Sequence, residues 1–164
     1  MQDVTLTIKK DEIMSDVASI AHVVGRRLST PDTAEKAADI QTPEEGADKY
    51  IVARAMAEAL SFSRAECARY LTKGRVTDDN GLENVTGNYV IELSMPDRWN
   101  ISATTKLTSL IHNHAVNYCV YSIFEKTNPN EAEGYLSKSN AELSQIKGVL
   151  ELRTAPIRRE GKLY

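Results

Sequence analysis

A very short break in a very long apolar-periodic stretch constrains this chain more than any other feature. From Ile101 to Arg153 the sequence reads as two helices separated only by Thr127-Asn128-Pro129-Asn130-Glu131. Leu107, Leu110, Ile111, His114, Tyr118 and Tyr121 recur at three and four residues, which places them on one helical face. Val116, Cys119, Val120 and Ile123 make the second half of that helix apolar on the opposite face too. A helix that is hydrophobic all round is buried, so this one is expected at the centre of a bundle. The break supplies both a stop and a start. Asn128 suits an N-cap, Pro129 the first helical position, and Glu131 the acid of a capping box. The next helix carries Ala132, Tyr135, Leu136, Ser139, Leu143, Ile146 and Leu150 on a single face. Gly134 and Gly148 each weaken it by about 1 kcal/mol relative to Ala. So short a connection makes the two helices antiparallel neighbours.

Upstream, Val4, Leu6 and Ile8 alternate with Thr5 and Thr7, the pattern of a half-buried strand. Lys9-Lys10-Asp11 breaks it, and a helix starts near Asp11 with the stripe Ile13, Val17, Ile20, Val24 and Leu28. Gly25 and the Arg26-Arg27 pair mark its last turns, where cations suit the helix dipole. From Ser29 to Asp48 the apolar pattern stops, and prolines, threonines and acids fill an acidic connector. A second helix is expected from about Asp48 to Leu71, with Ile51, Ala55, Ala59 and Phe62 toward one side and Val52, Met56, Cys67 and Tyr70 beside them. Lys73-Gly74 ends it. A turn-rich loop from Thr77 to Asn88 leads to a second strand, Tyr89 to Leu93, which Pro96 closes. Asn100 or Ser102 caps the central helix.

The fold class expected is therefore mainly α, a four-helix bundle with two short β-strands in the order strand, helix, helix, strand, helix, helix. Two strands alone are marginal, so they pair with each other or with a strand of another chain. Residues 1–153 form a single domain. Residues 154–164, Thr-Ala-Pro-Ile-Arg-Arg-Glu-Gly-Lys-Leu-Tyr, form a basic C-terminal arm with too little apolar surface to fold alone.

Little in the chain carries chemistry. His112 and His114 stand two apart on a helix and point to different sides, so they cannot share a metal. His114 reads as a hydrogen-bonded core histidine. Cys119 lies two turns beyond His112, but no third group orients such a pair for nucleophilic work. Gly81 and Gly87 are turn glycines, not a phosphate loop, and the acids between Asp32 and Asp48 lack calcium-loop spacing. No catalytic, metal-binding or cofactor-binding residues are assigned, and no enzyme activity is expected. Trp99 is read as a plug at one end of the bundle.

With 164 residues the chain suits one domain with a real core. A net charge of −3 excludes a surface that is polyanion-binding throughout. Cys67 and Cys119 fit reduced core thiols rather than a disulfide framework. No signal peptide is recognised and no apolar run approaches the roughly 20 residues of a membrane span, so the chain is expected in a cytoplasm.

The order of elements, the Tyr-Val-Ile-Glu-Leu-Ser-Met-Pro strand ending in Pro96, the opening Asn130-Glu-Ala-Glu-Gly-Tyr135 and the basic tail after Pro156 resemble the small helical head–tail connector (adaptor, or head-completion) proteins of tailed bacteriophages and their prophages. The resemblance implies a structural protein of the virion neck, assembled in the host cytoplasm. It implies a ring, commonly of twelve copies, under the portal protein. Such a ring extends the channel through which DNA passes without sequence specificity, and it docks tail proteins. It also implies that Pro156, Ile157, Arg158, Arg159, Lys162, Leu163 and Tyr164 form an arm that packs on the portal or on a neighbouring copy, with no membrane involved.

Two other readings stand beside it. A small DNA-handling packaging or regulatory module would use Arg26, Arg27, Arg153 and the basic arm, with affinity that falls steeply with salt. An enzyme would need a site between helices at His114, Tyr118 and Tyr121, with a perturbed titrating group.

Overall fold

A computed structural model of the chain describes residues 1–28, 46–72 and 86–154. Strand β1 (Gln2–Lys9) runs directly into helix α1 (Lys10–Leu28). Helix α2 (Gly46–Glu66) is followed by a 3-10 turn, Ala68–Tyr70. Strand β2 (Asn88–Met95) precedes a second 3-10 turn, Ile101–Ala103, which opens helix α3 (Thr104–Thr127). Helix α4 (Pro129–Leu150) completes the described body. Among the described residues the architecture is four α-helices with one two-stranded antiparallel sheet, the class expected.

The strands pair within the chain, from Gln2 opposite Met95 to Lys9 opposite Asn88. Val4, Leu6 and Ile8 of β1 and Ile91, Leu93 and Met95 of β2 are buried, so the alternation that marks the strands sets the inward face. Both strands outrun the apolar run that announces them, because backbone pairing continues over Gln2, Asp3 and Lys9 after the apolar residues end.

Helix α3 is the hub. It packs against α4, α2, α1 and β1, and it buries Leu107, Leu110, Ile111, His114, Ala115, Val116, Cys119, Val120 and Phe124. The two-sided apolar pattern of its second half thus has a neighbour on each side. Asn100 caps the 3-10 turn before α3, its side-chain Oδ1 accepting from the Ser102 N–H at 3.1 Å, whereas the N-cap of the helix itself is Ala103 rather than Asn100 or Ser102.

Two further local expectations are corrected. The second helix stops at Glu66 rather than near Leu71. At Cys67 the N–H splits between the Ser63 and Arg64 carbonyls at 3.3 and 3.1 Å, so the α ladder tightens there. The chain then turns and lays Leu71 beside Leu93, with the Thr72 N–H donating to the Glu92 carbonyl at 3.0 Å. The same helix faces inward through Val52, Ala55, Met56, Ala59, Leu60 and Ser63, and Cys67, just beyond its end, is buried too. Phe62 remains 41% exposed, edge-on to Tyr118.

The second correction concerns the capping box. Asn128 stands between the helices, and its side chain makes no cap hydrogen bond. Its backbone serves both helices instead: the N–H donates to Phe124 O at 2.7 Å, and the carbonyl accepts from Ala132 at 3.1 Å. Glu131 turns to α1, where the Arg27 guanidinium meets it at 3.1 Å. The acid therefore joins two helices rather than capping its own.

Candidate functional site

The most constructed corner of the molecule is the end at which the described residues stop, at Thr154. Trp99 is 1% exposed, and its indole Nε1 donates to the Val149 carbonyl at 3.0 Å. It stands in an antiparallel bridge with Arg153. The Asn100 N–H donates to Leu152 O at 3.2 Å and the Thr154 N–H to Arg98 O at 2.9 Å. The Thr154 hydroxyl adds a bond to the same Arg98 carbonyl at 3.3 Å. Gln2 ties the start of β1 to this corner, donating from Nε2 to the carbonyls of Pro96 and Trp99 at 3.2 and 2.9 Å. The last described residues are thereby fixed to the turn between β2 and α3. Ile101 and Leu152 flank this clamp, exposed by 59% and 43%, large apolar side chains left facing outward.

Trp99 accordingly plugs the end of the bundle, as read from the sequence. Arg153, counted there among the cations of the tail, folds back: its guanidinium donates to the carbonyls of Leu150 and Leu152 at 3.2 and 3.3 Å. Arg27 is held by Glu131. Pro156, Ile157, Arg158, Arg159, Lys162, Leu163 and Tyr164 lie outside the described residues, as do residues 29–45 of the acidic connector.

A second feature was not visible in the sequence. A shallow hollow of about 290 Å3 lies beside β1, with Thr7, Lys9, Thr105, Thr108 and His112 among its walls. A neighbouring hollow of about 270 Å3 is lined by Asp16, Ser19, Asn113 and Asn117. His112 Nε2 meets the Asp16 carboxylate at 2.7 Å between them, pinning α3 to α1. Polar residues line both hollows together with Ile8 in the first and Ile20 and Val116 in the second. No signal in the sequence links residues 16 and 112, since only the packing of α1 on α3 brings them together.

The groups that could do chemistry are in the core. His114 is 1% exposed. Its Nδ1 lies 3.0 Å from the Ser139 carbonyl and 2.8 Å from the Ser139 hydroxyl, which itself donates to the His114 carbonyl at 3.3 Å. A carbonyl can only accept, so the network assigns the proton to Nδ1. Nε2 makes no hydrogen bond of ordinary geometry. Burial lowers the imidazole's pKa, opposed by the backbones of Ser139 and Ala59. Tyr118 lies between His114, Tyr121 and Phe62 in a row of rings with centroids 6.2, 5.9 and 5.9 Å away. Burial pushes its phenol up to about 12, with the Glu58 carboxylate beside it adding to the shift. His114, Tyr118 and Tyr121 are thus brought together, but they line neither of the two hollows.

Cys67 and Cys119 are free and fully buried. Cys119 lies against the Val52 carbonyl of α2, whereas His112 faces Asp16 of α1, so the helix holds that pair apart. Among the described residues no group of three or more His, Cys, Asp or Glu side chains is arranged to hold a metal, and no helix is long and apolar enough to cross a membrane. The chain matches no protein-family profile, no curated protein and no solved structure.

Proposed function

We propose that this chain is a structural assembly protein, a ring-forming head–tail connector of a phage neck that sits under the portal, continues its DNA channel and receives the tail. What supports this reading is the root of the arm. Six backbone and side-chain bonds, from Trp99, Asn100, Thr154 and Gln2, fix the last described residues to the body. An arm that reaches a neighbour transmits position only if its base is rigid. Contacts made head to tail in this way close into rings when the rotation per copy permits. Pro156, Ile157, Leu163 and Tyr164 would supply apolar anchors for the neighbour, and Arg158, Arg159 and Lys162 its charged rim. The portal, the tail proteins and DNA passing without sequence readout would be the other partners. A DNA-handling module is less well supported, because Arg27 and Arg153 are engaged within the fold.

The test is removal of residues 155–164, which spares the Thr154 bonds to Arg98. The full chain should form a large closed ring, alone or on the portal, by mass in solution. The truncated chain should melt as the full chain does and form no ring. A full chain that forms no large ring at any concentration and ignores the portal would remove the proposal.

A further inference from the structure

We propose that the outer edge of β1 is a self-association surface, on which β1 of a second copy pairs antiparallel about a two-fold axis passing beside Leu6.

One bond beyond the ladder fixes which backbone groups face outward. The Lys10 N–H donates to the Gly87 carbonyl at 2.9 Å, one step past the Lys9–Asn88 pair. The even-numbered residues of β1 therefore exchange their N–H and C=O groups with β2. Those of Asp3, Thr5 and Thr7 point to the opposite edge. The same parity on β2 sends the Glu92 carbonyl outward, and there the Thr72 N–H meets it. The two edges of the sheet thus differ. That of β2 is covered at Glu92 and Leu93 by Leu71 and Thr72. Along that of β1, no described residue is paired. An unpaired strand edge is a template for another strand. With β2 covered, the edge that a second copy can offer is its own β1, which makes the contact two-fold.

The sequence of β1 is self-complementary in one register that this parity permits. With Leu6 opposite Leu6, Asp3 falls opposite Lys9 of the second copy and Thr5 opposite Thr7, twice each. The Thr5–Thr7 pairs are hydrogen-bonded pairs of odd-numbered residues, and Asp3 and Lys9 face each other at the ends of the ladder, where the Lys9 carbonyl already accepts the first bond of α1. A shift of two residues one way sets Asp3 against Thr7. A shift the other way sets it against Asp11, outside the strand and of like charge. Opposite charges facing across strands stabilise a pair, and like charges oppose it. Lys9 presently meets Glu12 at 2.7 Å in an ion pair exposed on both sides, an arrangement that costs little to rearrange. A hollow walled by Thr7, Lys9, Thr105 and Thr108 adjoins the C-terminal end of β1. This contact goes beyond the ring reading and uses a different part of the chain.

Sedimentation equilibrium of the full chain over a wide concentration range tests it, with three variants. Thr5→Pro removes an outward N–H and leaves the ladder to β2 intact, so it should yield a folded chain that has lost the two-fold contact. Asp3→Lys should raise the dimer dissociation constant about tenfold. Asp3→Lys combined with Lys9→Asp restores the opposite charges and should return the constant to about the starting value. If Thr5→Pro fails to fold, the charge reversal and its rescue decide alone. A wild-type chain that is monomeric throughout, a dimer indifferent to both single variants, or a double variant without rescue would each overturn the proposal. Removal of residues 155–164, which tests the ring, should leave this dimer in place.

Discussion

Trp99→Ala should be the most damaging single truncation at the end of the bundle. The indole is fully buried, and its ring is the largest of the fully buried side chains. Removing a buried aromatic side chain to Ala costs about 3–5 kcal/mol, because the transfer energy is lost and a cavity remains. The hydrogen bond to Val149 contributes about 1 kcal/mol of that. Its loss leaves no orphan acceptor, since the Leu152 N–H still donates to the Val149 carbonyl at 3.2 Å. Trp99→Phe keeps most of the volume and drops the N–H, so it should cost about 1–2 kcal/mol. For a chain of this size each kcal/mol lowers Tm by about 2–4 °C. The Ala variant should therefore melt roughly 6–20 °C below wild type, and the Phe variant a few degrees below. Circular dichroism follows all three proteins. Trp99 is the only tryptophan, so in wild type its fluorescence should shift to the red in the same transition. An Ala variant melting within 2 °C of wild type would falsify the clamp. Equal losses for Ala and Phe would assign the effect to the hydrogen bond rather than the volume.

Two further outcomes follow from buried titratable groups. His114 is held below its ordinary pKa in the fold, so the unfolded chain takes up the proton more readily. Stability from this source is present above the unfolded pKa of about 6.5 and is lost as pH falls below it. Tm should decline over that range, and His114→Asn, whose amide can supply the same N–H to Ser139, should flatten the decline; an equal slope in both proteins would rule the histidine out. The Cys67 thiol is pushed up to about 12 by burial, and burial also raises that of Cys119. Neither should react with a thiol reagent in the native protein, and both should react in denaturant; a native thiol titrating within seconds would contradict their burial.

Elements with strong periodicity were legible in the sequence. The long helices α3 and α4, their tight connection and the alternating strand around Leu6 follow from spacing alone, because each has a face that must be buried. Phe62 was misplaced because α2 is rich in alanine, and its apolar residues spread around the helix without a dominant stripe. The end of α2 at Glu66 was hidden for another reason: it depends on Leu71 reaching Leu93, a contact between residues far apart in sequence. Glu131 was read as a local cap because its tertiary partner, Arg27, lies on another helix. Of the candidate site, Trp99 and His114 were placed correctly by type. The His112–Asp16 pair and the open edge of β1 emerge only when α1, α3 and the sheet stand side by side.

The pairing of β1 with β2 also sets a timetable for synthesis. Gln2–Lys9 leaves the ribosome well before its partner, residues 88–95. Until residues 88–95 have emerged, neither edge of β1 is paired. The α3–α4 hairpin is the reverse case, since both halves lie close along the chain and can meet soon after they are made. The nascent chain should therefore gain its helical hairpin quickly and its sheet only by a long-range closure. During that interval β1 is the segment a chaperone would engage and the one through which two unfinished chains would first adhere.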